Sequence, residues 1–289
     1  MAEIEETRIE TATLEFDAIR AGEGDRLALL LHGFPDDART FVPLMERLAD
    51  EGYTAVAPYM RGYGGTDTPP LETSNYSVMS LGQDIVALLN ALEAEDALVV
   101  GHDWGASAVT ALSIMNPSAV GECVTMAVPP NVIEVFNKYP SQAMRSWYMT
   151  FFQIPGLAEE TLRRDDFALV ERLWDMWSPA WDYSDERIEE VKETFRADDT
   201  VEAALLYYRA LFEDALAVPA DNMRVQGIEA PTLLVGGRND GCITPRAFED
   251  CEDCYEGRFE LQMVGGAGHF MHAEKPDEVA DAVLEFAGD

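Results

Sequence analysis

The sequence predicts an α/β fold in which a mostly parallel central sheet is flanked by helices and carries an inserted helical cap. Over the first half of the chain, short and continuously apolar runs alternate with stretches of helical spacing, as expected of parallel strands covered on both faces. From about residue 131 to residue 222 these runs disappear, and aromatic-rich helical segments take their place. Strand character then returns near residue 231, so we interpret the helical stretch as an insertion.

The first half is expected to begin with two strands, at residues 11–19 and 26–31, joined by a hairpin turn at residues 21–25. After them, helices and strands alternate as in a doubly wound sheet. These further elements are a helix at 38–51, a strand at 54–58, a helix at 80–94, a strand at 96–100, a helix at 106–112 and a strand at 123–128.

The changes of pattern divide the chain into a first core part at residues 1–130, the cap at 131–222 and a last core part at 223–289. Four of the five tryptophans lie in the cap, which suggests a pocket lined by aromatic side chains. The elements expected after residue 130 are cap helices at 146–153, 167–177, 185–195 and 201–212, strands at 231–236 and 258–264, and a final helix at 276–286.

The chain is strongly acidic: 54 Asp and Glu residues stand against 20 Lys and Arg, for a formal charge of -34. Such a surface argues against nucleic acid and anionic membranes as partners, and no run approaches the roughly 20 apolar residues of a membrane span. Because the acids are spread along the chain, we interpret them as an adaptation to high salt, with a basic protein partner as the alternative. The N-terminus lacks the features of a signal peptide, so a cytoplasmic location is expected.

The four cysteines include one C-x-x-C pair, Cys251 and Cys254. A zinc site of this type needs a second pair or a histidine cluster to complete it, and neither accompanies the motif. We therefore interpret the thiols as incidental residues on a helix, and we expect neither a metal nor a cofactor.

A Gly-x-Asp-x-Gly motif from Gly101 to Gly105 joins an apolar strand to a helix of small residues. This is the pattern of a nucleophile elbow, which usually carries serine but here carries Asp103. An ionised carboxylate suits the displacement of a leaving group from saturated carbon, which forms an alkyl ester that activated water must then cleave. The motif thus predicts an enzyme with an alkyl-ester intermediate; an acidic residue in an ordinary glycine-bounded turn is the alternative.

Two later motifs supply the other members of a catalytic triad. Asp240 follows a predicted strand in Gly-Gly-Arg-Asn-Asp, and His269 follows the last predicted strand in Gly-Gly-Ala-Gly-His. The order Asp103, Asp240, His269 is that of nucleophile, acid and base in hydrolases with an elbow. The backbone N–H groups of Phe34 and Trp104 are the expected donors of the oxyanion hole. His272, without preceding glycines, is interpreted as an ordinary polar residue.

Four motifs, His-Gly-Phe-Pro, Arg-Gly-Tyr-Gly, Gly-His-Asp-Trp-Gly and Gly-Ala-Gly-His, resemble those of the α/β-hydrolase epoxide hydrolases and of the related haloalkane dehalogenases. The resemblance spans nearly the whole chain and implies the α/β-hydrolase fold. Both families use an elbow aspartate, so the core motifs leave the choice between them open.

In epoxide hydrolases two cap tyrosines hold the epoxide oxygen, and the resemblance implies Tyr148 and Tyr208 for this role. Tyr148 lies before a Phe-Phe-Gln run and Tyr208 in a Tyr-Arg pair. A dehalogenase would instead need N–H donors for halide; Trp104 is one candidate, and the sequence identifies no second. The residues expected to line the substrate pocket are Trp147, Phe152, His32 and Pro35.

These motifs favour an epoxide hydrolase that acts on a small hydrophobic epoxide and water. The alternatives are a haloalkane dehalogenase and a non-catalytic small-molecule-binding member of the fold. His32 and His102 flank motifs and are expected to support them structurally. Three details depart from the family pattern: Tyr59-Met60 before Arg61, Asp36-Asp37 after His-Gly-Phe-Pro, and Gly241-Cys242 after Asp240.

Overall fold

A central eight-stranded sheet organises the computed structural model, which describes residues 2–217 and 225–288. The spatial order of the strands is β1-β2-β4-β3-β5-β6-β7-β8. Their bounds are β1 Ile4–Glu10, β2 Glu15–Ala21, β3 Arg26–Leu31, β4 Tyr53–Pro58, β5 Leu98–His102, β6 Glu122–Met126, β7 Thr232–Gly237 and β8 Phe259–Val264. From β4 to β8 all neighbours run parallel, whereas β2 is antiparallel to both β1 and β4.

The predicted hairpin between residues 11–19 and 26–31 is wrong. The chain does reverse there, but β4 lies between β2 and β3, and the observed hairpin joins β1 to β2. Strand β1 escaped prediction because it carries mostly exposed, charged residues and only Ile4 and Ile9 as apolar ones. A turn motif fixes the reversal of a chain and not the strand with which it pairs.

Helices cover both faces of the sheet. Leu44, Leu48 and Val283 pack on one face, and Ile85, Leu88 and Val109 belong to the core on the other. The helices are α1 Val42–Asp50, α2 Val78–Ala91, α3 Trp104–Met115, α4 Val132–Lys138, α5 Pro140–Arg145, α6 Trp147–Phe151, α7 Leu157–Trp177, α8 Asp185–Arg196, α9 Thr200–Ala217, α10 Arg246–Glu249, α11 Met271–Glu274 and α12 Pro276–Phe286. Most predicted core elements are found within a few residues of these bounds; none of the described helices could cross a lipid bilayer.

The described part of the segment between β6 and β7 is mainly helical, as predicted, and contains α4 to α9. Ser146 separates α5 from α6, and the backbone leaves helical geometry from Arg164 to Phe167 within α7. The predicted end of the cap at residue 222 lies outside the described residues, so the division into 1–130, 131–222 and 223–289 stays a prediction. Below, the helices α4 to α9 are called the helical insertion.

Candidate active site

Asp103 lies between the end of β5 and the start of α3, in a backbone conformation that L-residues rarely adopt (φ 50°, ψ -111°). Glycines make this sharp turn possible, because a methyl group on Gly105 would overlap the carbonyl of Leu31. The N–H of Asp103 donates to the carbonyl oxygen of Met126 on the neighbouring strand, at 3.1 Å. The strained turn therefore holds the carboxylate at the carboxyl edge of the parallel sheet.

The two carboxylate oxygens of Asp103 have different surroundings. Oδ1 accepts the N–H of Phe34 at 2.8 Å, whereas Oδ2 lies 3.6 Å from Nε2 of His269. The lack of a side chain at Gly33 keeps this space open, since a Cβ there would stand 2.5 Å from Oδ1 and 2.6 Å from the nitrogen of Trp104. Burial opposes ionisation of Asp103, but the nearby positive charge of His269 and the hydrogen bond from the N–H of Phe34 outweigh it and lower the pKa of Asp103.

His269 is fully buried and is oriented by Asp240. Nδ1 of His269 lies 2.9 Å from Oδ2 of Asp240, and the other oxygen of Asp240 accepts the N–H groups of Cys242 and Ile243 at 2.6 and 2.8 Å. The imidazole thus presents Nε2 to Asp103. Burial would lower the pKa of His269, but the negative charges of Asp240 and Asp103 and the hydrogen bond to Asp240 raise it to about 10, so the imidazole is protonated at neutral pH.

The other three histidines are buried and have structural hydrogen bonds. Nε2 of His32 accepts the N–H of Met60 at 3.0 Å, and Nε2 of His102 donates to the carbonyl of His269 at 3.0 Å. His272 is not the ordinary polar residue that we expected, because it is buried and lies 2.7 Å from Oγ1 of Thr40. Burial lowers the pKa of His32 to about 4 and of His102 to about 3, and that of His272 well below its usual value.

A cavity of about 270 Å³ leads from Asp103 to the surface. Trp104, Tyr148 and Tyr208 line it near Asp103, and the half-exposed side chains of Met79 and Ile114 also line it. Most of its lining is apolar; the further residues of the wall include Val78, Ser107, Thr110, Ala111, Val128, Pro129, Pro130, Met149, Leu211, Val225 and Ile243. The cavity therefore suits a small apolar molecule.

Tyr148 and Tyr208 both line this cavity and pack edge to face against each other, with ring centroids 5.6 Å apart and ring planes at 88°. The hydroxyl of Tyr148 lies 3.3 Å from Sγ of Cys242, and that of Tyr208 has no hydrogen-bond partner among the described residues. Burial, together with nearby negative charge, raises the pKa of both phenols well above the usual value. Both hydroxyls therefore stay protonated and are available as hydrogen-bond donors beside Asp103.

The four other residues expected in the pocket lie outside its lining. Trp147 is 38% exposed on the outer side of the helical insertion, because consecutive helical residues point about 100° apart and Tyr148 occupies the inner side. Phe152 lies behind the pocket wall, where its ring centroid is 5.2 Å from that of Tyr208. His32 and Pro35 are buried in the loop after β3, where the carbonyl of Pro35 accepts Nε1–H of Trp174 at 2.8 Å.

Sequence reasoning missed the wall that α3 contributes. Trp104, Ser107, Ala111 and Ile114 all line the cavity, and their spacing of three and four residues marks one face of a helix. That signal begins at the elbow itself, so it was present in the sequence. Trp177 is one of the four tryptophans predicted to lie in the cap, and its ring centroid lies 5.1 Å from that of His269; no sequence pattern distinguishes it from the other three.

Comparison with known proteins finds α/β hydrolases by sequence and by structure. A family model described as alpha/beta hydrolase fold matches residues 29–276. The AB hydrolase superfamily protein YfhM of Bacillus subtilis is 28% identical over 282 residues, which cover 96% of both chains. Epoxide hydrolase A of Mycobacterium tuberculosis is 29% identical and covers 97% of this chain and 96% of its own. The structure of potato (Solanum tuberosum) epoxide hydrolase I is 27% identical, with a TM-score of 0.82 and 99% of each chain covered.

Proposed function

Because the chain belongs to the α/β-hydrolase fold family, we propose that it is a hydrolase that opens a small apolar epoxide to a vicinal diol. The observation that carries this proposal is the position of Asp103, whose Oδ2 faces His269 at 3.6 Å in a cavity lined by two tyrosines. The likeness to proteins named as epoxide hydrolases over almost the full chain supports it.

In the first step, Oδ2 of Asp103 attacks an epoxide carbon, and the bond between that carbon and the epoxide oxygen breaks. The oxygen takes a proton from the hydroxyl of Tyr148 or Tyr208. Because both phenols have strongly raised pKa values, the resulting phenolate is basic and regains a proton from the imidazolium of His269. The products of this step are a neutral ester, a substrate hydroxyl and a neutral imidazole.

In the second step, the loss of the Asp103 charge allows His269 to act as a base. Nε2 takes a proton from water, and the hydroxide attacks the carbonyl carbon of the ester. The oxyanion that develops on Oδ1 accepts the N–H of Phe34, already 2.8 Å away, and that of Trp104; one such donor is typically worth roughly 3 kcal/mol of barrier. The acyl C–O bond then breaks, the leaving alkoxide takes the remaining proton of the added water, and the diol is released with the carboxylate and the imidazolium restored.

One observation favours a second candidate, a haloalkane dehalogenase. Nε1–H of Trp104 is buried without a hydrogen-bond partner among the described residues, and its residue lines the cavity. Such an indole donor suits a halide leaving group. The two phenol hydroxyls favour an epoxide instead, since an alkoxide leaving group needs a proton and a halide does not.

The test is to trap the ester in a His269→Gln variant treated with styrene oxide and to map the adduct by mass spectrometry. We expect one substrate mass on the peptide that contains Asp103, and no adduct in the control that carries Asp103→Asn as well. An adduct formed with 1-chlorohexane but not with the epoxide would favour the dehalogenase. No adduct with either electrophile would overturn the covalent scheme in favour of a binding protein.

A further inference from the structure

The segment of residues 33–37, here called the oxyanion loop, carries two adjacent carboxylates that the mechanism does not use. Asp36 and Asp37 are both fully buried, which is costly for charged groups unless they are paired. Nη2 of Arg187 on α8 bonds to Oδ1 of both carboxylates, and Oγ1 of Thr194 donates to the other oxygen of Asp37 at 3.0 Å. The cation that pairs with the loop thus comes from the helical insertion.

Further contacts tie the same loop to the insertion. The carbonyl of Pro35 accepts Nε1–H of Trp174 at 2.8 Å, and the guanidinium of Arg187 lies 5.8 Å from the ring of Trp174. The ring of Phe34 packs on Phe195 of α8, with centroids 5.8 Å apart. Every residue of the loop from Phe34 to Asp37 therefore contacts α7 or α8 through its side chain or its carbonyl.

The side chain of Arg187 is itself held in place. Oγ of Ser184 caps α8 by accepting the N–H of Arg187 at 3.1 Å, which fixes the first turn of the helix. Burial disfavours the charged form of both carboxyls. At Asp37 the charge of Arg187 outweighs it and lowers the pKa, whereas burial and the charge of Asp37 raise the pKa of Asp36 to about 7. Nη2 bonds both carboxylates while Nη1 donates to Glu190 at 3.2 Å. The planar guanidinium is therefore held in orientation as well as in position, which a single ammonium group would not be.

We propose that Arg187 is a positioning residue that holds the oxyanion loop, and with it the N–H of Phe34, in register with Oδ1 of Asp103. This inference rests on the proposed function. It implies that the helical insertion also fixes one half of the oxyanion hole. It does so through the ion pair of Arg187 with Asp37, two residues 150 positions apart in sequence.

The two steps of the reaction should depend to different degrees on how accurately the N–H of Phe34 is placed against Oδ1 of Asp103. During ester formation the negative charge of Asp103 is consumed, so the bond from the N–H of Phe34 to Oδ1 weakens. During ester cleavage a full oxyanion develops on the same oxygen, and the bond strengthens. A loosened loop should therefore slow ester cleavage while it leaves ester formation largely unchanged.

The experiment compares the intact enzyme with Arg187→Met, using styrene oxide as the probe. Ester formation is followed as kcat/KM, and ester cleavage as the decay of the alkylated enzyme, by mass spectrometry after free epoxide is removed. The matched control is Arg196→Met, which removes an arginine of the same helix that is 37% exposed and pairs with Asp166 and Glu189.

We expect ester decay in Arg187→Met to slow by at least about tenfold, as for a modest displacement of a catalytic donor, while kcat/KM changes by less than about threefold. Arg196→Met should match the wild type in both rates. Arg187→Lys keeps the charge but loses the second nitrogen that bonds Glu190, so its rate of ester decay should lie between those of Arg187→Met and Arg196→Met.

Equal loss in both rates would overturn the proposal, because it would show no preference for the step in which the oxyanion forms. Unchanged ester decay would overturn it as well, because a merely structural role lowers the amount of folded enzyme, and with it kcat/KM, but not the first-order decay of the ester. If Arg187→Met does not fold, the variant with Arg187→Met, Asp36→Asn and Asp37→Asn removes the buried charges together and should show the same slow decay. Absence of any alkylated wild-type or His269→Gln enzyme would instead refute the proposed function itself.

Discussion

Replacing Asp103 with asparagine is expected to lower the pKa of His269 well below the value of about 10 that it has beside the carboxylate. The amide keeps the size of the carboxylate and can still accept the N–H of Phe34, but it carries no charge. It therefore imitates the electrostatics of the neutral ester without any substrate. The prediction addresses a basic requirement of the mechanism: an imidazole that is protonated in the resting enzyme must become a free base once the ester has formed.

The magnitude follows from the geometry of the pair. Oδ2 of Asp103 lies 3.6 Å from Nε2 of His269; with an effective dielectric constant of about 20, two unit charges at this separation attract by about 4.6 kcal/mol. At about 1.4 kcal/mol per pKa unit this amounts to about 3 units. In the resting enzyme the pKa is about 10, and the contribution of Asp240 remains in the variant.

The assay is an NMR pH titration of the histidine ring carbons in the wild type and in Asp103→Asn. The other three histidines have lowered pKa values, so a resonance that titrates above pH 7 in the wild type belongs to His269. The same lowering of the pKa of His269 predicts the pH dependence of ester cleavage. The rate should be low below the pKa that His269 has in the ester form, where the imidazole is protonated, and should level off above that pKa, at a lower pH than the resting enzyme's pKa would allow. A pKa of His269 within one unit of the wild-type value in Asp103→Asn would refute the reasoning.

Two further outcomes are expected. The double variant Tyr148→Phe, Tyr208→Phe should form the ester at least about 100-fold more slowly with an epoxide, since it lacks the proton donors for the alkoxide; largely retained turnover, measured by diol release, would contradict their assignment. The melting temperature should rise steeply from low to molar KCl, because salt shortens the distance over which the 54 acidic side chains repel one another; an unchanged melting curve would count against adaptation to high salt.

The site's main residues were accessible from sequence because each follows a strand in a local pattern. Asp103, Asp240 and His269 lie after β5, β7 and β8, whose carboxyl ends meet at one edge of a parallel sheet. Their convergence needs only the order of the elements and not the details of packing. The parallel strands and the helices of the insertion were predicted correctly because each is marked by a local pattern of apolar residues.

What sequence could not provide depends on long-range partners. The position of β4 between β2 and β3 is a choice of pairing that no turn motif encodes. The outward position of Trp147 depends on which side of α6 meets the core, and both it and Tyr148 are aromatic, so composition alone does not set the phase of the helix. The partnership of Asp37 with Arg187 joins residues 150 apart, and no local spacing connects them.

The most direct test of covalent catalysis is one turnover of unlabelled enzyme, in excess over epoxide, in water enriched in oxygen-18. If Asp103 forms the ester, the diol takes its new oxygen from the carboxylate, so it should leave unlabelled while Asp103 gains the heavy isotope. Mass spectrometry of the diol and of the Asp103 peptide measures both. A diol that carries one heavy oxygen after this first turnover, with Asp103 unlabelled, would contradict the mechanism and indicate direct attack by water.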